Sequence, residues 1–229
     1  SSTRLRGLLP AGQGAEFLPC AVYGYILRCG LYGTRADLKR LELPELRAVS
    51  YSMIKAKRIA HVEGTEREAV RLAERWGADT RSARQAAILH DLGKVGIEEQ
   101  VLQKPGKLTE REFELIKKHP VIAAEILKSI HALHEALPAI RHHHERFDGR
   151  GYPDRLKGND IPLGARIVSV ADVYQALTSD RPYRKAFSSD EALKIIRSES
   201  GKQFDPVVVK AFLKIVARKP ARKKVAKKK

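Results

Sequence analysis

Histidine and aspartate are the residue types in this chain whose placement points to chemistry. His90 and Asp91 are adjacent, within HDLGK, at the end of an alanine-rich stretch. Neighbouring imidazole and carboxylate groups can reach one metal ion together, and a carboxylate can also bridge two metals, which an imidazole cannot. Taken alone, the pair also fits a helix end carrying a surface carboxylate. Asp172 is the only acidic residue between Ile161 and Leu177, in a run (Ile167, Val168, Val170, Ala171, Val173) that favours burial. Burying an unpaired carboxylate costs several kcal/mol, so Asp172 requires a cation, either Arg166 or a metal. His142, His143, His144 and Glu145 are consecutive. On a helix the three histidines cannot all face one way, but two can converge. His119 precedes Pro120, and His61 stands ahead of the stretch ending at Trp76. Each is unremarkable alone. Together, His61, His90, Asp91, His119, His143, His144 and Asp172 make six or seven nitrogen and oxygen ligands with no thiolate. That set suits two octahedral metals such as iron or manganese better than structural zinc.

The elements that must position these residues read as helices. Ala69, Leu72, Ala73 and Trp76 share a helical face, with Gly77 as a stop. Asp79 and Thr80 are capping types that can open a helix running into His90–Asp91. Thr109 with Glu112, and Ser188 with Glu191, form capping boxes. Pro120 suits the first turn of a helix over 120–130. An apolar helix is expected over 164–178, and Asp205–Pro206 opens a last one carrying Phe212, Ile215 and Val216. Residues 145–164, rich in Gly, Pro and Asp, read as a long ordered loop. The helical pattern begins near residue 46, and Gly12, Gly14, Gly24, Gly30 and Gly33 interrupt regularity before it. The expected class is all-α. The expected division is an N-terminal extension of unclear role (1–45), a helical domain (46–217) and a basic tail (218–229).

Composition sets the remaining bounds. The 229 residues carry a formal charge of +17, and the tail from Arg218 to Lys229 holds eight of the basic residues and no acid. The body is therefore moderately basic, which suits an anionic substrate. The tail reads as a solvated segment able to bind nucleic acid or an acidic surface weakly. Cys20 and Cys29 form no CxxC pair, so neither a disulfide framework nor a thiolate metal site is expected, and a reduced, cytoplasmic setting fits. The apolar run Phe17–Leu27 is too short to span a bilayer. No signal peptide or integral membrane segment is expected.

The motif text resembles the HD-GYP family of the HD phosphohydrolase superfamily. The matching stretches are HDLGKVGI at 90–97, KPGKLTERE at 104–112, KKHP at 117–120, HHERFDGRGYP at 143–153, IPLGARIVSVADVYQALTSDRPYRKAF at 161–187 and FDPVVVKAF at 204–212. The resemblance covers roughly residues 50–213 and implies an HD-domain helical bundle with an ordered GYP loop. It implies that His61, His90, Asp91 and Asp172 hold one metal and that His119, His143 and His144 hold a second, with Asp91 bridging. It places Lys94 near the substrate phosphate and Tyr152, Arg181 and Arg184 against the dinucleotide. The implied activity is hydrolysis of cyclic di-GMP to linear pGpG, with the further step to GMP open. Two metals would clamp the phosphodiester and lower the pKa of a bridging water. Asp148, Gly149 and Gly151 would let the loop fold tightly.

The chain departs from the family at three places. Some members carry a Glu one turn before the His61 position and bind a third metal; here that place is Lys57, which points to two metals. Ala123 replaces a glycine usual after HP, and Gln175 replaces an aspartate common after the metal Asp. The stretch HVEGTEREAVRLAERWGAD also resembles small HD hydrolases of diadenosine tetraphosphate, which lack the GYP loop. Two other readings stay open: hydrolysis of another cyclic dinucleotide or a dinucleoside polyphosphate, and a non-catalytic nucleotide-sensing domain. A homodimer or a signalling partner is equally open.

Overall fold

The computed structural model describes residues 6–11, 13, 15–34, 42–54, 56–180 and 184–217. Arg181 and the basic tail from residue 218 lie outside these, and so does the side chain of Lys57. Among the described residues there is no β-strand, only an isolated bridge between Ser200 and Phe204, and the all-α expectation holds.

The principal helices are α1 (Cys20–Cys29), α2 (Leu43–Ser52), α3 (Ala56–Trp76), α4 (Thr80–Leu89), α5 (Glu99–Leu102), α6 (Glu110–Ile116), α7 (His119–Leu127), α8 (Leu137–His142), α9 (Leu163–Leu177), α10 (Ser189–Ser198) and α11 (Pro206–Ala217). The capping residues read from sequence perform as expected. Asp79 accepts hydrogen bonds from the Arg81 and Ser82 amides, satisfying two orphan donors at the start of α4. Thr109–Glu112 and Ser188–Glu191 close as capping boxes on α6 and α10. Asp205 accepts the Val207 amide where α11 begins.

Helix α9 runs through the middle of the bundle and packs on α3, α4, α8, α10 and α11. Its inner residues Ile167, Val168, Val170 and Ala171 are fully buried. They pack in one core with Leu72 of α3, Ile88 of α4, Ile140 of α8 and Phe212 of α11. Removing side chains of this size from water, at about 25 cal/mol per Å2 of apolar surface, is the principal force holding the helices together. Of the four residues expected on one face of α3, Ala69, Leu72 and Ala73 are buried, while Trp76 at the helix end stays 38% exposed.

Gly12 and Gly14 lie outside the described residues, and the described part of the N-terminal region holds a regular helix despite Gly24. Gly24 sits mid-helix because the Ala48 carbonyl oxygen lies 1.7 Å from where a Cβ would be, so only glycine admits α2 at that distance. Gly30 ends α1 in the left-handed conformation. Helix α2 starts at Leu43, slightly before the expected 46, and carries this hairpin onto the main body. There the Ser50 hydroxyl donates to the Ile88 carbonyl at 3.0 Å. Tyr23, Ile26, Leu27 and Ala48 form a small second core. Both cysteines are free and exposed.

Candidate metal centre

Helix α4 delivers His90 at its C-terminal end, with Asp91 in the following tight turn, 92–96. Gly93 in that turn lets it lie against the start of α7: a Cβ there would fall 1.9 Å from the His119 carbonyl oxygen. His119 opens α7, with Pro120 in its first turn. Helix α8 ends at His142, and His143 and His144 follow it into the loop. His61 lies inside α3, which starts at Ala56, rather than ahead of that helix as the sequence suggested. Asp172 projects from α9.

Two ligand groups result. In the first, His61, His90 and Asp172 offer donor atoms within 4.8 Å of one another, and in the second His119, His143 and His144 do the same. Asp91 lies between them. Its Oδ2 is 3.7 Å from His90 Nε2, and its Oδ1 is 3.5 Å from His119 Nε2. All seven residues expected as metal ligands are therefore brought together. His142, the third of the consecutive histidines, turns away towards Asp154, at 3.5 Å. Asp172 is not held by Arg166, which pairs instead with Asp205 (2.7 Å) and Asn159 (2.9 Å). Its neighbour is His61, 2.9 Å away.

The ring orientations favour cations. His90, His119 and His143 each place Nδ1 2.7–2.8 Å from the backbone carbonyl three residues earlier: Ala87, Ile116 and Ile140. A carbonyl accepts only, so Nδ1 carries the proton and Nε2 presents a lone pair. The Nε2 atoms of His119 and His143 then face each other at 3.4 Å, both as acceptors. His90 Nε2 is buried without a hydrogen-bond partner among the described residues. Two buried lone pairs directed at one point, and a third left unpaired, fit divalent cations held by histidine and carboxylate.

The electrostatics divide the two groups. Burial pushes His119 down to about 3 and His144 to about 4, and it holds His143 well below the ordinary imidazole value. These rings are neutral and ready to ligate at pH 7. Burial also acts against protonation of His90, but Asp91 and Asp172 outweigh it and raise its pKa. For Asp91, burial opposes ionisation, yet Lys94, His90, Arg58 and His119 together drive its pKa well below the usual range. Asp172 is likewise driven low, by His61 and His90 against the effect of burial.

The residues expected to meet the nucleotide are less uniform. Lys94 Nζ is 2.6 Å from Asp91 Oδ1, inside the centre. Tyr152 lies tilted over His144, with ring centroids 4.9 Å apart, and edge-on to Phe113 at 6.5 Å. Beside Phe113 opens a cavity of about 540 Å3, lined also by Val101, Lys107 and Ile116. Arg184 caps α9, donating to the carbonyls of Ala176 and Leu177 and stacking on Phe187. Arg181 lies outside the described residues.

Three roles were not read from the sequence. Arg58 Nη2 is 2.6 Å from Asp91 Oδ2; its spacing three residues before His61, on the same face of α3, was the available signal. Glu145, buried after the histidines, accepts the Asp154 amide at 2.7 Å and so anchors the loop. Phe113 supports Tyr152. Of the departures, Ala123 is fully buried on α7, and Gln175 lies against Gly64 of α3, in the space a side chain there would fill.

A family model described as HD domain matches residues 47–208. The cyclic di-GMP phosphodiesterase response regulator RpfG of Xanthomonas campestris is 47% identical over 161 residues, 69% of this chain and 42% of RpfG. A 3'3'-cGAMP-specific phosphodiesterase of Vibrio cholerae is 37% identical over 159 residues, 67% of this chain and 30% of that protein. The chain thus spans less than half the length of these curated relatives. The crystal structure of a cyclic GMP-AMP-specific phosphodiesterase of V. cholerae superposes with a TM-score of 0.58 at 17% identity, over 76% of this chain and 47% of the other, and so shares the fold. With His90–Asp91 at the junction of two histidine-rich groups and the family model matching well over half of the chain, this chain belongs to the HD domain family.

Proposed function

We propose that this chain is a metal-dependent phosphodiesterase that hydrolyses cyclic di-GMP to the linear product pGpG, with further cleavage to GMP left open. The observation that carries the reading is Asp91, one oxygen of which faces each three-ligand group. His61, His90 and Asp172 would hold one cation and His119, His143 and His144 the other, with Asp91 shared. The all-nitrogen-and-oxygen set favours iron or manganese. When bound, two such cations supply Lewis-acid polarisation of the phosphodiester and a water acidic enough to yield hydroxide near neutral pH.

The protein's own groups do the rest. Asp91, His61 and Asp172 fix the spacing of the site. Lys94, tethered to Asp91, offers its remaining N–H donors to a phosphate oxygen. Burial holds the Tyr152 phenol protonated, so it serves as a hydrogen-bond donor rather than a base. Its ring, between His144 and Phe113, gives a base or ribose a flat surface on which to rest. Arg181 and Arg184 remain assigned to the dinucleotide by the motif RPYR. The substrate assignment is supported by several relatives named cyclic di-GMP phosphodiesterases. A cytoplasmic setting is supported by the two exposed free thiols.

The test uses anaerobically prepared protein loaded with iron or manganese. Metal content near two per chain together with linear product from cyclic di-GMP is expected; fully loaded protein that makes no linear product sinks the proposal. Asp91→Ala should abolish turnover and most metal binding. The relatives named as cGAMP-specific favour one second reading, hydrolysis of a mixed cyclic dinucleotide. Comparing kcat/KM for cyclic di-GMP and 3'3'-cGAMP under one metal condition separates the two.

A further inference from the structure

Lys94 has a counterpart across Asp91. The two oxygens of this carboxylate each serve one histidine group and one cation: Oδ1 faces His119 and holds Lys94 at 2.6 Å, while Oδ2 faces His90 and holds Arg58 at 2.6 Å. Lys94 reaches in from the turn after α4, and Arg58 from the first turns of α3, one helical turn before His61. A guanidinium has five N–H donors in a rigid fork. Only Nη2 is spent on Asp91, and no other partner of the group appears among the described residues. The side chain is 31% exposed against 7% for Asp91, so the guanidinium joins a buried carboxylate while part of the side chain meets solvent.

We propose that Arg58 is a substrate-contacting residue, anchored by one arm to Asp91 and presenting its others to the scissile phosphate opposite Lys94. The ligand class is a phosphodiester or phosphate monoanion or dianion. A pair of cations flanking one carboxylate would grip two different non-bridging oxygens, and the planar fork allows Arg58 to do so bidentately, which lysine cannot. This inference rests on the proposed phosphodiesterase reading, but its test does not depend on cyclic di-GMP being the substrate.

The test compares Arg58→Gln and Arg58→Lys with the parent protein in three measurements. Metal stoichiometry and affinity are measured by titration. Inorganic phosphate binding to the metal-loaded protein is measured by calorimetry. Turnover of bis(p-nitrophenyl) phosphate, a diester without bases, is measured alongside cyclic di-GMP. In Arg58→Gln, both metals should still bind with the parent stoichiometry, since none of the seven proposed ligands is altered. Phosphate affinity should fall roughly 10–100-fold, the loss expected for a charge-assisted hydrogen bond to an anion, with KM rising for both diesters. Arg58→Lys should recover part of the loss. Unchanged phosphate affinity in fully loaded Arg58→Gln overturns the proposal. Loss of a metal in that variant also overturns it, because Arg58 would then be a support for Asp91. Parent protein that binds phosphate and cleaves the simple diester but not cyclic di-GMP refutes the substrate assignment alone and leaves Arg58's role to be decided by the phosphate titration.

Discussion

Gly93→Ala should disable one half of the metal centre while leaving the other intact. The new methyl would meet the His119 carbonyl oxygen at 1.9 Å, the Ala123 amide nitrogen at 2.6 Å and the His119 carbonyl carbon at 2.8 Å. All three are backbone atoms, so no side-chain rotation relieves the contact. Restoring ordinary separation requires the turn and the start of α7 to part by roughly 1.5 Å. Overpacking of this kind costs about 1–3 kcal/mol, and rigid backbone puts it at about 3. For a domain of this size that corresponds to a fall in Tm of roughly 6–12 °C. The functional effect is larger, because metal sites tolerate only about 0.2 Å of ligand displacement, and His119 moves with α7. The His119–His143–His144 group should lose its metal, whereas His61, His90 and Asp172, on α3, α4 and α9, keep theirs. Elemental analysis should therefore read near one metal per chain in place of two, with turnover lost, and a thermal melt should show the destabilisation. Parent-like melting and two metals at parent affinity would refute the packing argument.

Two further outcomes follow from burial. His119 and His144, with folded pKa values near 3 and 4, and His143, also held low, bind fewer protons folded than unfolded. Their effect is therefore to make metal-free protein lose stability as pH falls from about 6.5 towards 4, and flattening of chemical-denaturation midpoints across that window would contradict it. Glu145→Ala removes the buried acceptor of the Asp154 amide. A loss of about 1–3 kcal/mol is expected, with faster hydrogen exchange across residues 148–158 and weaker dinucleotide binding; unchanged exchange there would show that the loop holds itself.

The sequence by itself carried the helical class, the caps and the ligand inventory. Caps are local: Asp79, Thr109 and Ser188 act on amides two or three residues away, so their types suffice to locate α4, α6 and α10. The seven candidate ligands were legible only as a combination and through the resemblance of the motifs to the HD-GYP family, since the HD pair, the lone Asp and each histidine taken singly also fitted structural roles. What the sequence left open depended on contacts between distant segments. It could not tell whether Asp172 pairs with Arg166 or joins a metal-ligand group, because that depends on how α9 turns against α3 and α11. It could not show that Gly24 is a helix contact rather than a break, since the reason is the Ala48 carbonyl on another helix. Nor could it attach Arg58 to Asp91, thirty-three residues away. Tertiary packing alone decided these points, because a buried charge takes whichever partner the fold brings within hydrogen-bonding distance, and sequence proximity has no say in that choice.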